Sequence, residues 1–237
     1  DNIGNDSGGG AYEAVTVTSS HFGTNTLLND AIMRDDASEA LSDLEYLNAG
    51  PLRYPGGTVT EKLFDITNSE ATIGVEDDGG HTDIVPLSEF LDFAAAVETS
   101  VNIVLPTRDG LNLSAAEALE LGTYGERVPT ETYIEEIAAF IIEVISKASA
   151  RGVVVQSFEI GNEFWLGGRM TAAEYGRLAG EIALVVQNTL FDLGYSRSES
   201  PDILLQSSSN AGKFSPRDTT NQSFHEGGEE YTFDIPG

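Results

Sequence analysis

The chain alternates short β-branched runs with amphipathic stretches of helical period, and this alternation limits its fold more than any other feature. Strand-type runs are AVTVTSSHF at 14–22, PLRYP at 51–55, VNIVLP at 101–106, VVVQSFEI at 153–160 and DILLQSS at 202–208. Between them the spacing predicts helices over 36–49, 86–99 and 131–150. Another opens at the capping box Thr171-x-x-Glu174, turns Leu178, Ile182 and Val185 inward, and ends before Gly194. Strands separated by helices pair in parallel through right-handed crossovers, so the fold class is α/β. A doubly wound sheet and a (β/α)₈ barrel both satisfy this pattern. No Gly-x-Gly-x-x-Gly turn follows the first strand, so the dinucleotide-binding version of the former lacks its fingerprint.

Composition removes several classes of function. With 12 Lys+Arg against 39 Asp+Glu the formal net charge is -27, which repels nucleic acid and anionic membranes. Neither is expected as a partner. The absence of cysteine excludes disulfides and thiolate metal sites. Three histidines without His-x-x-x-His spacing argue against catalytic zinc, and no metal or cofactor is expected. The segment EDDGGHTD, 76–83, is rich in oxygen ligands, but its spacing is not that of an EF-hand loop and it reads as a solvated acidic loop. Residues 1–12 read as a Gly/Asp/Asn-rich leader or linker and 13–237 as one catalytic-domain portion. The start at Asp1 suggests a processed or excised piece, and a secreted location is the expectation.

Two motifs carry chemistry. Phe158-Glu159-Ile160-Gly161-Asn162-Glu163-Phe164-Trp165 closes the fourth strand. In a barrel enzyme, strand C-terminal ends converge on the active-site face. A carboxylic acid there can protonate a departing sugar oxygen, and a neighbouring amide can bond the sugar 2-hydroxyl. The competing reading is a helix N-terminus capped by Asn162 with Glu163 in its first turn. The second motif, Leu52-Arg53-Tyr54-Pro55-Gly56-Gly57, closes the second strand; its plain reading is a structural arginine followed by a tight turn.

Gly161-Asn162-Glu163 after strand four resembles the clan of retaining barrel glycosidases that share an Asn-Glu acid/base pair. The segment at 53–57 is similar to the Arg-x-Pro-Gly-Gly of α-L-arabinofuranosidases and is related to the Leu-Arg-x-Gly-Gly of heparanase-like β-glucuronidases. The resemblance implies a (β/α)₈ barrel, of which the chain covers about five βα units. It also implies Glu163 as general acid/base, and Arg53 beneath the catalytic carboxylates as partner of the nucleophile. His21, Asn25, Asn162 and Trp165 become candidate substrate-binding residues, although hydrogen-bonded structural roles for His21 and Asn25, and packing for Trp165, fit as well. Arg108 reads as an ordinary surface arginine, and Glu159 as a strand residue. The clan's nucleophile stands at the end of strand seven, which this chain is not expected to contain. Glu226, Glu229 and Glu230 fall in a loop-like stretch and are not assigned to that role. The remainder of the barrel, in the same parent chain or a second one, is the expected partner besides a carbohydrate. A non-catalytic carbohydrate-binding half-barrel is the alternative.

Overall fold

The structure, a computed structural model, describes residues 24–25, 42, 46, 50–165, 169–206 and the strands at 222–226 and 229–233. The strands expected at 14–22, the leader and His21 lie outside the described residues, as does the helix expected at 36–49 apart from Ser42 and Tyr46, both helical.

Five parallel strands form the main sheet: β1 (Thr24–Asn25), β2 (Leu52–Tyr54), β5 (Val101–Leu105), β6 (Val155–Ile160) and β7 (Asp202–Leu205). They lie side by side in chain order, with every pairing parallel. A doubly wound sheet reverses its order at a central switch point; this one runs in a single direction, as the wall of a (β/α) barrel does. The α/β fold is therefore as the sequence implies, covering a partial barrel.

Helices α2 (Leu87–Ala96), α4 (Glu131–Ala150) and α5 (Ala172–Asp192) follow β2, β5 and β6. α4 runs over the expected residues, opened by the Thr130 side chain accepting from the Tyr133 N–H. α5 opens with the capping box of Thr171 and Glu174. α4 packs between α2 and α5. Alternate strand residues Leu52, Tyr54, Ile103, Leu105, Phe158 and Ile160 join these helices in one core. There Tyr54 stacks on Phe90 at 4.4 Å, with Phe64 edge-on to both Tyr54 and Phe140. The intervening residues Arg53, Asn102, Ser157 and Glu159 bond to one another across the other face, Ser157 Oγ donating to Asn102 Oδ1 at 2.9 Å. Barrel interiors are normally filled by branched apolar side chains; here Val104, in register with Glu159, keeps that character beside these polar pairs.

Three segments depart from expectation. The long loop after β2 contains α1 (Val59–Leu63) and a hairpin, β3 (Ile73–Val75) and β4 (His81–Asp83), so the acidic stretch 76–83 is not simply a solvated loop. Its turn is fixed by tertiary ion pairs, Asp77 meeting both Arg108 and Arg169 at 2.7 Å. Burial pushes the Asp77 carboxyl up, but the hydrogen bond and charge of Arg108, with Arg169 and Lys62, bring it below its ordinary value. Arg108 is thus a tether of this hairpin. A short helix α3 (Ala115–Glu120) opens on a Ser114–Glu117 capping box in what reads as loop. Finally, the stretch holding Glu226, Glu229 and Glu230 forms antiparallel strands β8 (Gln222–Glu226) and β9 (Glu229–Phe233). Two glycines between β-forming runs are a hairpin signal that outweighs the charge there.

At the β7 side of the sheet, Leu204, Leu205 and Phe191 of α5 are exposed. No helix among the described residues is long and apolar enough to cross a membrane.

Candidate active site

Parallel strands deliver their C-terminal ends to one face, and the sequence-selected residues gather there. Asn25 ends β1, Arg53 precedes the last residue of β2, and Asn162 and Glu163 follow β6. The Arg53 guanidinium joins them. Its Nε and one terminal nitrogen donate to the two carboxylate oxygens of Glu159 at 2.6 and 2.8 Å. The latter nitrogen also reaches Asn162 Oδ1 at 3.1 Å, and the other donates to Asn25 Oδ1 at 2.9 Å. A bidentate arginine–carboxylate pair has a fixed plane, so Arg53 sets the heights of both asparagine amides. Glu159 faces this polar centre and is the counter-ion that orients Arg53.

Asn162 does not cap a helix. The next described helix, α5, begins ten residues on and is capped by Thr171. The Asn162 side chain, 7% exposed, instead accepts from Arg53.

Glu163 is half-buried and has φ +49°, in the left-handed region that a residue with a Cβ seldom occupies. Such backbone costs on the order of 1–3 kcal/mol and persists where the surroundings over-determine it. They do so here. Gly161, at φ +77°, donates its N–H to Leu105 O at 2.8 Å and packs against Thr107 and Tyr175 so closely that an added Cβ would meet Thr107 Cγ2 at 3.1 Å. Phe164 stacks on Tyr175 at 4.2 Å and donates its N–H to Gln206 Oε1 at 3.3 Å. The Tyr175 hydroxyl donates to Ile160 O and accepts from Gln206 N, each at 2.8 Å, linking the ends of β6 and β7. Burial pushes this phenol up to about 12. The Glu163 carboxylate accepts a long hydrogen bond from Thr58 Oγ1 at 3.4 Å.

Trp165 sits edge-on to Phe164 at 4.9 Å and packs, partly buried, against the core. His21 falls outside the described residues. Among the described residues, no group of three or more His, Asp or Glu side chains is arranged to hold a metal ion.

Sequence reasoning missed Glu61, which is 3% exposed on α1. Its Oε1 accepts the Asn162 N–H at 2.8 Å and the Thr107 hydroxyl at 3.1 Å; its Oε2 accepts the Thr107 and Arg108 N–H groups, each at 2.8 Å. Burial pushes its pKa up, with these hydrogen bonds acting in the opposite direction. The spacing Thr58-x-x-Glu61 imitates a capping box, but the Thr58 side chain makes no cap bond and Glu61 turns inward.

No family model and no curated protein sequence matches the chain. Among solved structures it is similar to the GH51 arabinofuranosidase from Xanthomonas axonopodis pv. citri, at 17% identity over 80% of this chain and 39% of that one, TM-score 0.49. It is also similar to AbfB, a family 51 alpha-L-arabinofuranosidase from Bifidobacterium longum, at 17% identity over 82% and 40% of the two chains, TM-score 0.48. A third is an alpha-L-arabinofuranosidase from Thermotoga maritima, at 18% identity over 78% and 39%, TM-score 0.45. The chain spans about 40% of the length of these structures.

Proposed function

We propose that this chain is the acid/base-bearing portion of a retaining glycoside hydrolase, with Glu163 as the proton donor. The observation that carries the reading is the gathering of Glu163, Asn162 and the Arg53 centre at the C-terminal face of a parallel sheet. Glu98 and Arg169 share this left-handed φ, so what sets Glu163 apart is its company, Asn162 and the Arg53–Glu159 pair.

In the first step Glu163 gives its proton to the glycosidic oxygen while a second carboxylate attacks the anomeric carbon, forming a covalent glycosyl-enzyme. In the second, Glu163 removes a proton from the water that releases the sugar. Retention requires the two carboxyl groups about 5–5.5 Å apart. Glu159, the carboxylate that Arg53 holds, stands within β6, whereas the resemblance sets the nucleophile at the end of strand seven, so the nucleophile in this proposal comes from outside the described residues. The exposed Leu204, Leu205 and Phe191 support a further βα unit covering the β7 edge, from the same parent protein or a second chain. In this proposal the Asn162 amide, whose oxygen accepts from Arg53, bonds the sugar 2-hydroxyl.

The segment Arg53–Gly57 makes aryl α-L-arabinofuranosides and aryl β-glucuronides the first substrates to assay in the full-length protein. On a glycoside with a poor leaving group, Glu163→Gln lowers turnover by roughly 10²–10⁴-fold, the usual contribution of general acid catalysis. Near-normal turnover by that variant makes Glu163 a structural residue, and the chain then fits a non-catalytic carbohydrate-binding domain.

A further inference from the structure

Glu163 occupies an unfavourable backbone conformation, so something must hold the residues on either side of it. On the N-terminal side that hold converges on one carboxylate. Glu61 reaches from α1, directly after the Pro55-Gly56-Gly57 turn, and binds the ends of two other strands. It takes the N–H of Thr107 and Arg108, just after β5, and the N–H of Asn162, just after β6. Three backbone donors and one hydroxyl are thereby satisfied inside the protein by a side chain 46 residues from Thr107 and 101 residues from Asn162. Thr107, held at both its N–H and its hydroxyl, is the residue against which Gly161 is wedged. Asn162, held at its N–H by Glu61 and at its side chain by Arg53, is the residue that Glu163 follows.

We infer that Glu61 is a positioning residue for the general acid, fixing the 161–163 backbone so that Glu163 points at the scissile oxygen. This inference rests on the proposed function. Glu61 does not touch Asn25, Arg53 or Glu159 through any described hydrogen bond; it acts through the main chain. Glu61→Gln is nearly isosteric, but an amide presents one acceptor where the carboxylate presents two. Whichever way the amide turns, it orphans either the Asn162 N–H or the pair at Thr107 and Arg108, and sets an N–H₂ against them.

The test uses the full-length protein and two glycosides of the sugar it cleaves, the methyl glycoside and the 2,4-dinitrophenyl glycoside. The first needs its leaving group protonated and the second does not. A displacement near 1 Å at a catalytic group lowers rates by about 10²-fold. Glu61→Gln should accordingly lower kcat/KM on the methyl glycoside by roughly 10–100-fold and on the dinitrophenyl glycoside by less than about threefold. Placed on a Glu163→Gln background, Glu61→Gln should add almost nothing to the loss on the methyl glycoside, because residues acting as one unit are not additive. Equal losses on both glycosides, or full additivity with Glu163→Gln, overturn the inference and leave Glu61 a stability residue. Should Glu61→Gln fail to fold by circular dichroism, Glu61→Asp keeps both oxygens but withdraws them by one methylene. It is expected to show the same selectivity, and an equal loss on both glycosides overturns the inference in that form too. If Glu163→Gln itself cleaves the methyl glycoside normally, the acid/base role of Glu163 falls and takes this inference with it. If Glu163→Gln behaves as proposed and the Glu61 variants do not, only the inference falls.

Discussion

Replacing Glu174 by Gln should destabilise the protein severely, because it strands a buried cation. Arg127 and Glu174 have side chains 1% and 0% exposed. Glu174 Oε1 accepts from Arg127 Nε at 2.8 Å and Gly125 N at 2.8 Å; its Oε2 accepts from an Arg127 terminal nitrogen at 3.0 Å and Thr171 N at 2.8 Å. The carboxylate thus joins the loop after β5 to the start of α5, and its removal leaves the guanidinium without a counter-charge. Breaking a buried pair in this way costs about 3–5 kcal/mol. At about 2–4 °C per kcal/mol for a domain of this size, Tm should fall by roughly 6–20 °C. Burial pushes the Glu174 carboxyl up, but the Arg127 hydrogen bond and charge, with the N–H groups of Thr171 and Gly125, hold it below the ordinary carboxylate value. A depressed folded-state pKa gives stability that is present above the unfolded value of about 4.3 and is lost as pH falls through the folded value. The gap between wild type and Glu174→Gln should therefore be full at neutral pH and shrink below about pH 4. Differential scanning calorimetry across that range measures it. A loss of less than about 2 °C at pH 7, or a gap that does not narrow in acid, refutes the reasoning. The double variant Arg127→Met/Glu174→Leu, which removes both charges, should recover most of the lost stability.

Arg53→Lys keeps the charge but loses the bidentate grip on Glu159 and at least one asparagine. It should lower kcat by roughly 10²-fold with an unchanged circular dichroism spectrum, and a loss under about threefold contradicts the role given to Arg53. Gly161→Ala meets both a left-handed φ and Thr107, so it should cost about 2–3 kcal/mol in urea unfolding. Gly194→Ala, with positive φ but open space around its Cβ, should cost about 1 kcal/mol; equal losses at the two sites show that the wedge at 161 is not tight.

Much of the fold was legible because its signals are local. The span of α4 follows from the repeat of Ile137, Ile141 and Ile145 between the Thr130 cap and Gly152. The strand ends at Arg53 and Asn162 were marked by Gly-rich turns. The β3–β4 hairpin was not legible, since its strands are three residues each, partly polar, and anchored through Asp77 to arginines 31 and 92 residues away. Glu159 was assigned to its strand, but which face it joins depends on the register that brings it to Arg53, 106 residues distant. Glu61 was hidden for the same reason: its sequence context is that of a helix cap, and its partners are set by tertiary structure alone.

The account stands on Glu163 as the acid/base of a double displacement, and the anomeric configuration of a trapped product tests that most directly. Glu163→Ala in the full-length protein, given a dinitrophenyl glycoside and sodium azide, should accumulate glycosyl-enzyme that azide intercepts without needing a base. Proton NMR should then show a glycosyl azide with the configuration of the substrate, formed faster as azide concentration rises. A product of inverted configuration, or a Glu163→Ala variant whose rate is near that of wild type and indifferent to azide, contradicts the assignment.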